Sequence, residues 1–178
     1  MRRADGTSNG REIAGLLASA AKVVSGGRYC WHVTNAQNSD CSARPTGCVR
    51  PNADDEDWII RFVTDGRSRK ASETRRSGRA NLIFQNDGDD AFVLLSGVTR
   101  LLQGEPALRA HWKDTYSTYF PSRTDRANAA FIQLAAQRMD LWIRGITSEP
   151  FGLRPAVLER NPGSPWHVAP DTRAPEDD

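Results

Sequence analysis

Hydrophobic positions along this 178-residue chain change their period at Arg28. Upstream, Ile13, Leu16, Leu17, Ala20, Ala21 and Val24 recur at helical spacing and predict an amphipathic helix over residues 9–24. Asn9 followed by Glu12 has the form of a capping box, and Gly26-Gly27 supplies a stop. Downstream the period is two. Tyr29, Trp31 and Val33 alternate with Cys30, His32 and Thr34, which suits a strand with one apolar face.

After the polar loop "NAQNSD", a second strand is predicted from Cys41 to Val49. Ser42, Arg44 and Thr46 share one of its faces, and Pro45 assigns it to a sheet edge or a bulge. "WIIRFVT" is a third strand, and residues 68–77 a short helix with Ser68 as N-cap and only Ala71 and the Thr74 methyl as an apolar face. "ANLIFQ" and "AFVLLSGVTRLL" are further strands, with a bend or bulge expected at Gly97. A helical segment from Glu105 to Tyr119 precedes "AAFIQLAAQRMDLWI", which reads as one or two strands, and "FGLRPAVLER" is a weak last one. Six strands in hairpin order with flanking helices predict a mainly β fold, a small antiparallel barrel over residues 9–160. Residues 1–8 and the Pro-rich acidic tail 161–178 are expected to be disordered.

Composition narrows the function classes. A net charge of +2 is too small for a general nucleic-acid binder, and the run Arg75 to Arg79 is one short basic cluster. No apolar stretch is long enough to span a bilayer, and "MRRADGTSNG" lacks the apolar core of a leader, so a cytoplasmic setting is expected. Cys30, Cys41 and Cys48 lack metal or redox spacing, and His32, His111 and His167 are scattered, so no metal site is predicted. The carboxylates Asp54, Asp55, Glu56 and Asp57 read as a solvated loop or as the partner of an exposed Arg44. There is no GxSxG nucleophile turn, and the sequence defines no catalytic acid or base.

One stretch carries chemistry. In "FVTDGRSRK" a strand runs through the turn Asp65-Gly66 into a helix opened by Ser68, Arg69 and Lys70. A helix N-terminus offers unpaired N–H groups and partial positive charge, and a hydroxyl with two cations adds charge-assisted hydrogen bonds. The ligand suited to that corner is a phosphate, and the alternative is a solvated basic face.

In order and spacing, "SARPT", "WIIRFVTDGRSRK", "NLIF", "LLSGVTRLL" and "HWKDTYSTYFP" followed by "FIQLAAQRMDLW" resemble the flavin-binding split barrels related to pyridoxamine 5'-phosphate oxidase. The general stress protein branch is the most similar, and the resemblance covers Arg11 to Trp142. It implies a six-stranded, Greek-key-like antiparallel split β-barrel that forms homodimers, with FMN (or FAD) at the subunit interface. Arg44 and Thr46 would lie along the flavin's phosphate and ribityl chain, and Thr64 would approach the flavin. Ser68, Arg69 and Lys70 would bind the phosphate. Phe92 stands where the oxidases place a glutamine that contacts FMN, and the oxidases' substrate-gripping C-terminal Arg and His have no counterpart. These departures argue against vitamin oxidase activity. Three readings stay open: a flavin-dependent oxidoreductase, a non-enzymatic flavin-binding or sensing stress protein, and a cofactor-free interaction module.

Overall fold

The computed structural model describes residues 5–35, 40–47 and 58–170. Cys48, the acidic loop Asp54 to Asp57 and the end of the tail lie outside the described residues. Among the described residues four α-helices and eight strands follow in chain order: α1 Asp5–Gly26, β1 Tyr29–Asn35, β2 Cys41–Gly47, β3 Ile59–Asp65, α2 Arg69–Ser77 and β4 Arg79–Asn86. Then come β5 Ala91–Gln103, α3 Glu105–His111, α4 Arg123–Asn128, β6 Ala129–Ile143, β7 Ala156–Glu159 and β8 His167–Val168.

The strands make one antiparallel sheet in the order β2-β1-β4-β5-β6-β7-β8, with β3 paired to β6. β6 therefore serves three neighbours. One edge pairs with β5 along its length, while the other pairs with β3 through Ala129 to Ala135 and with β7 through Arg138 to Leu141. This is the mainly β, split-barrel architecture expected, with eight strands in place of six. β2 lies at the sheet edge, where Pro45 removes no ladder donor that a neighbour needs. Leu16, Ala20, Val23 and Val24 bury the stripe of α1 against β4 and β5, in a core with Ile60, Phe62, Leu82, Leu95, Leu134 and Met139. Among the described residues no helix is long and apolar enough to cross a membrane.

Several elements differ from the sequence reading. The α1 helix starts at Asp5, so Asn9 lies inside it; its first residues carry no apolar side chain and give no periodic signal. The segment expected as one helix over Glu105 to Tyr119 divides into α3 and a 3-10 turn at Asp114–Thr118; beyond it lies a further helix, α4, which opens on a Ser122/Asp125 capping box just after Pro121. The tail expected to be unstructured from Asn161 instead forms β8 against β7, and Trp166 is buried with the Arg160 guanidinium 4.5 Å from its ring centre. On β1 the buried parity is Cys30, His32 and Thr34, while Tyr29 and Trp31 are about half exposed. Inward, Cys30 joins the core, His32 meets Phe62 and Thr34 bonds to Arg44 and Glu73, so the face that carries Tyr29 and Trp31 is the outer one.

The expected irregularity at Gly97 is a register shift between Ser96 and Gly97 where β5 crosses β6. A Cβ there would stand 2.1 Å from the Ala135 carbonyl oxygen, a backbone atom that cannot swing aside. Gly97→Ala is expected to cost about 1–3 kcal/mol through overpacking. Urea unfolding of the variant checks this, and an unchanged midpoint would show that the strands can separate without loss.

Candidate functional site

The corner that the sequence singled out is built by a short turn between β3 and α2. The Ser68 N–H donates to the Asp65 carbonyl (3.0 Å), and the Gly66 N–H donates to the Asn128 carbonyl (2.8 Å), fixing the turn to the start of β6. Asp65 accepts from the Arg67 backbone N–H (2.8 Å) and from its guanidinium (2.6 and 3.0 Å). These bonds hold the Asp65 carboxyl below the ordinary carboxylate range and occupy Arg67. Ser68 caps α2 by accepting from the Ala71 N–H (3.3 Å), and its Oγ lies 3.1 Å from Thr64 Oγ1. Gly78 closes the helix in the left-handed conformation, its N–H donating to the Thr74 carbonyl (3.1 Å).

Beside this corner opens a cavity of about 1090 Å³. Thr46, Thr64, Ser68 and Lys70 lie on its wall, brought from the ends of β2 and β3 and the first turn of α2. Arg28, Tyr29, Lys113, Tyr116 and Tyr119 complete it from the start of β1 and the 3-10 turn. Sequence reasoning left these five out of the site. The signal for Lys113, Tyr116 and Tyr119 was "HWKDTYSTYFP", where Tyr119 reads as a core or dimer-interface anchor rather than a ligand-stacking residue, and Arg28 and Tyr29 carried none. The Lys70 ammonium sits 5.9 Å from the Phe62 ring centre, and burial raises the pKa of the Tyr116 phenol. Phe92, paired with Trp142 across β5 and β6, is not part of the wall.

Arg44 and Arg69 are not on the cavity wall; they converge on Glu73, Arg44 mostly buried and Arg69 with most of its side chain exposed. Arg44 Nη2 is 2.5 Å from Glu73 Oε2 and also donates to Thr34 Oγ1, while Nη1 donates to the Ser42 hydroxyl (2.8 Å) and carbonyl (3.1 Å). The Thr34 hydroxyl donates to the same Glu73 oxygen (2.6 Å). Arg69 lies 3.5 Å from Glu73 Oε1 and donates to Ser42 Oγ (3.0 Å). The partner of Arg44 is thus a helix carboxylate that the sequence reading passed over. A signal existed, since Glu73 stands four residues after Arg69 and three after Lys70 on one helix face.

His32 is fully buried next to this cluster, with its ring edge-on to Phe62 at 4.9 Å. Among the described residues neither ring nitrogen has a hydrogen-bond partner. Burial, reinforced by the charges of Arg44 and Lys70, pushes its pKa down to about 3.

The family model described as pyridoxamine 5'-phosphate oxidase like matches residues 17–150, well over half of the chain. The chain belongs to that family. Solved structures agree on the fold. A Clostridium acetobutylicum protein related to general stress protein 26 of Bacillus subtilis superposes with a TM-score of 0.67 at 14% identity, over 82% of this chain and 95% of that one. A pyridoxamine 5'-phosphate oxidase-related, FMN binding protein from Nostoc punctiforme gives 0.63 at 17% identity, over 95% and 96%. General stress protein 26 from Bacillus anthracis gives 0.55 at 12% identity, over 70% and 92%. No match was found among curated protein sequences.

The His32 geometry sets an acid limit on stability. Its folded pKa of about 3 lies below the ordinary value near 6.5, so the unfolded chain binds the extra proton between these values. The stabilisation is complete above pH 6.5 and is lost as pH falls toward 3. Between pH 7.5 and 5.5 the protein should lose about 1.4 kcal/mol more than a His32→Leu variant, measured by urea unfolding. Equal losses would mean that His32 titrates normally in the folded chain.

Proposed function

We propose that the cavity binds a flavin mononucleotide, with its phosphate at the N-terminus of α2 and its ring toward the Tyr116 and Tyr119 side. The observation that carries this reading is convergence. Hydroxyls of Thr46, Thr64 and Ser68 and the Lys70 ammonium come from three separate segments to one wall of a cavity of about 1090 Å³. That volume is just above the ~300–1,000 Å³ common for small-molecule sites, which leaves room for a flavin. The donor set suits a phosphate ester: cations, a hydroxyl and helix N–H groups where the α2 dipole is positive. FAD shares the flavin and ribityl parts and is the alternative cofactor.

In this reading Lys70, Ser68 and Arg69 hold the phosphate, and Thr46 and Thr64 fix the ribityl chain. Arg44, held by Glu73, stands alongside the phosphate and ribityl chain. A bound flavin would supply one- or two-electron transfer, with the protein fixing its orientation and environment. The reading assigns binding roles and no catalytic acid or base, so the reaction class is a flavin-dependent redox step on a substrate not defined by these residues. A homodimer belongs to the same reading, supported by the half-exposed Tyr29 and Trp31 beside the cavity mouth and by Tyr119 at 70% exposure. A second copy over that face would shield the aromatic surface and enclose the ring end of the flavin.

Replacing Arg69 and Lys70 together with Ala is expected to weaken FMN by about a hundredfold, on the scale of two charge-assisted contacts at about 1.5 kcal/mol each. Riboflavin, which lacks the phosphate, should lose less than threefold. Flavin fluorescence titration of both ligands decides. Equal losses would place the phosphate elsewhere.

A further inference from the structure

The Arg44–Glu73 pair occupies the donors that an anion at this corner would use. Glu73 is 3% exposed, and three donors point at its carboxylate: the Arg44 guanidinium, the Arg69 guanidinium and the Thr34 hydroxyl. Ser42 Oγ ties both arginines together from the other side. Arg44 itself is mostly buried, and among the described residues its Nε has no hydrogen-bond partner. A guanidinium in that position needs a counter-anion, because an unpaired buried charge is strongly unfavourable.

The pair also lies next to the cavity. Thr46, two residues from Arg44 on the same face of β2, is on the wall, and so are Ser68 and Lys70, which flank Arg69 in sequence. Carboxylate and phosphate oxygens accept the same forked hydrogen bonds from a guanidinium. Two anions close together repel, so both cannot hold these arginines at full strength.

We propose that Glu73 is an internal stand-in for the ligand's phosphate: it holds Arg44 and Arg69 in place in the absence of an anion and competes with the phosphate for them. The proposal rests on the flavin-phosphate reading above and adds a specificity role to it. Glu73 sets how strongly the site separates a phosphorylated flavin from a neutral one. Its carboxylate keeps the two guanidinium groups ordered, at the cost of part of the attraction they could offer the ligand.

The test compares FMN with riboflavin on the unaltered protein and on Glu73→Gln, by flavin fluorescence titration. In E73Q, FMN should bind about tenfold more tightly, within the usual range of coupling between two sites. Riboflavin should be unchanged. The melting temperature of E73Q should be lower than that of the unaltered protein without ligand and rise further on adding FMN. If E73Q does not fold, Glu73→Asp keeps the charge but retracts it by one methylene, and FMN should still tighten relative to riboflavin. An FMN to riboflavin ratio that stays constant or falls in the variant overturns the stand-in role while leaving the cofactor reading intact. Failure of the unaltered protein to bind FMN overturns both.

Discussion

The geometry of the corner depends on one long strand having two different neighbours along one edge. β6 pairs with β5 from Ala130 to Ile143, and its free edge is divided between β3 and β7. The close crossing at Gly97 permits this, since any side chain there would push β5 off the Ala135 carbonyl. β3 is held in the sheet by β6. Its last residue, Asp65, therefore stops where β6 starts, and the Gly66–Asn128 hydrogen bond fixes the following turn to that point. The direction of α2, and with it the N-terminus that faces the cavity, follows from that anchor.

A second constraint acts behind the corner, where β1, β2 and α2 enclose charge rather than hydrocarbon. A buried ion pair is weak support for stability, because desolvation offsets most of its Coulombic gain. The value of Arg44–Glu73 lies in position. It joins the sheet edge to the helix that carries Ser68 and Lys70, with Thr34 bonding the carboxylate and Ser42 the Arg44 Nη1 group. Burial lowers the pKa of Arg44 while Glu73 opposes the shift, as expected for a cation taken out of water and given a partner. His32 remains neutral beside them for the same reason of burial.

Much of this was legible in the sequence where a local rule and the fold agree. Ser68 as N-cap, Pro45 at an edge, the Gly97 irregularity and the α1 stripe each follow from one residue type or one period. Other features depend on what lies across the fold. The period-two pattern of β1 was visible, but which face turns inward depends on partners across the fold: the core for Cys30, Phe62 for His32, and Arg44 and Glu73 for Thr34. Glu73 was not among the candidate residues, because two of its three donors, Thr34 and Arg44, lie far from it in the sequence. The Pro-rich composition after Asn161 hid Trp166, whose burial needs only a short strand and one arginine above its ring. The Tyr116 and Tyr119 side of the cavity carried no recognisable spacing.

The central claim is that this cavity holds a flavin, and it is tested most directly by adding FMN to the purified, flavin-free protein. Saturable quenching of flavin fluorescence, reaching one flavin per chain, is the result the account predicts. Emission that stays that of free FMN at every protein concentration would contradict it.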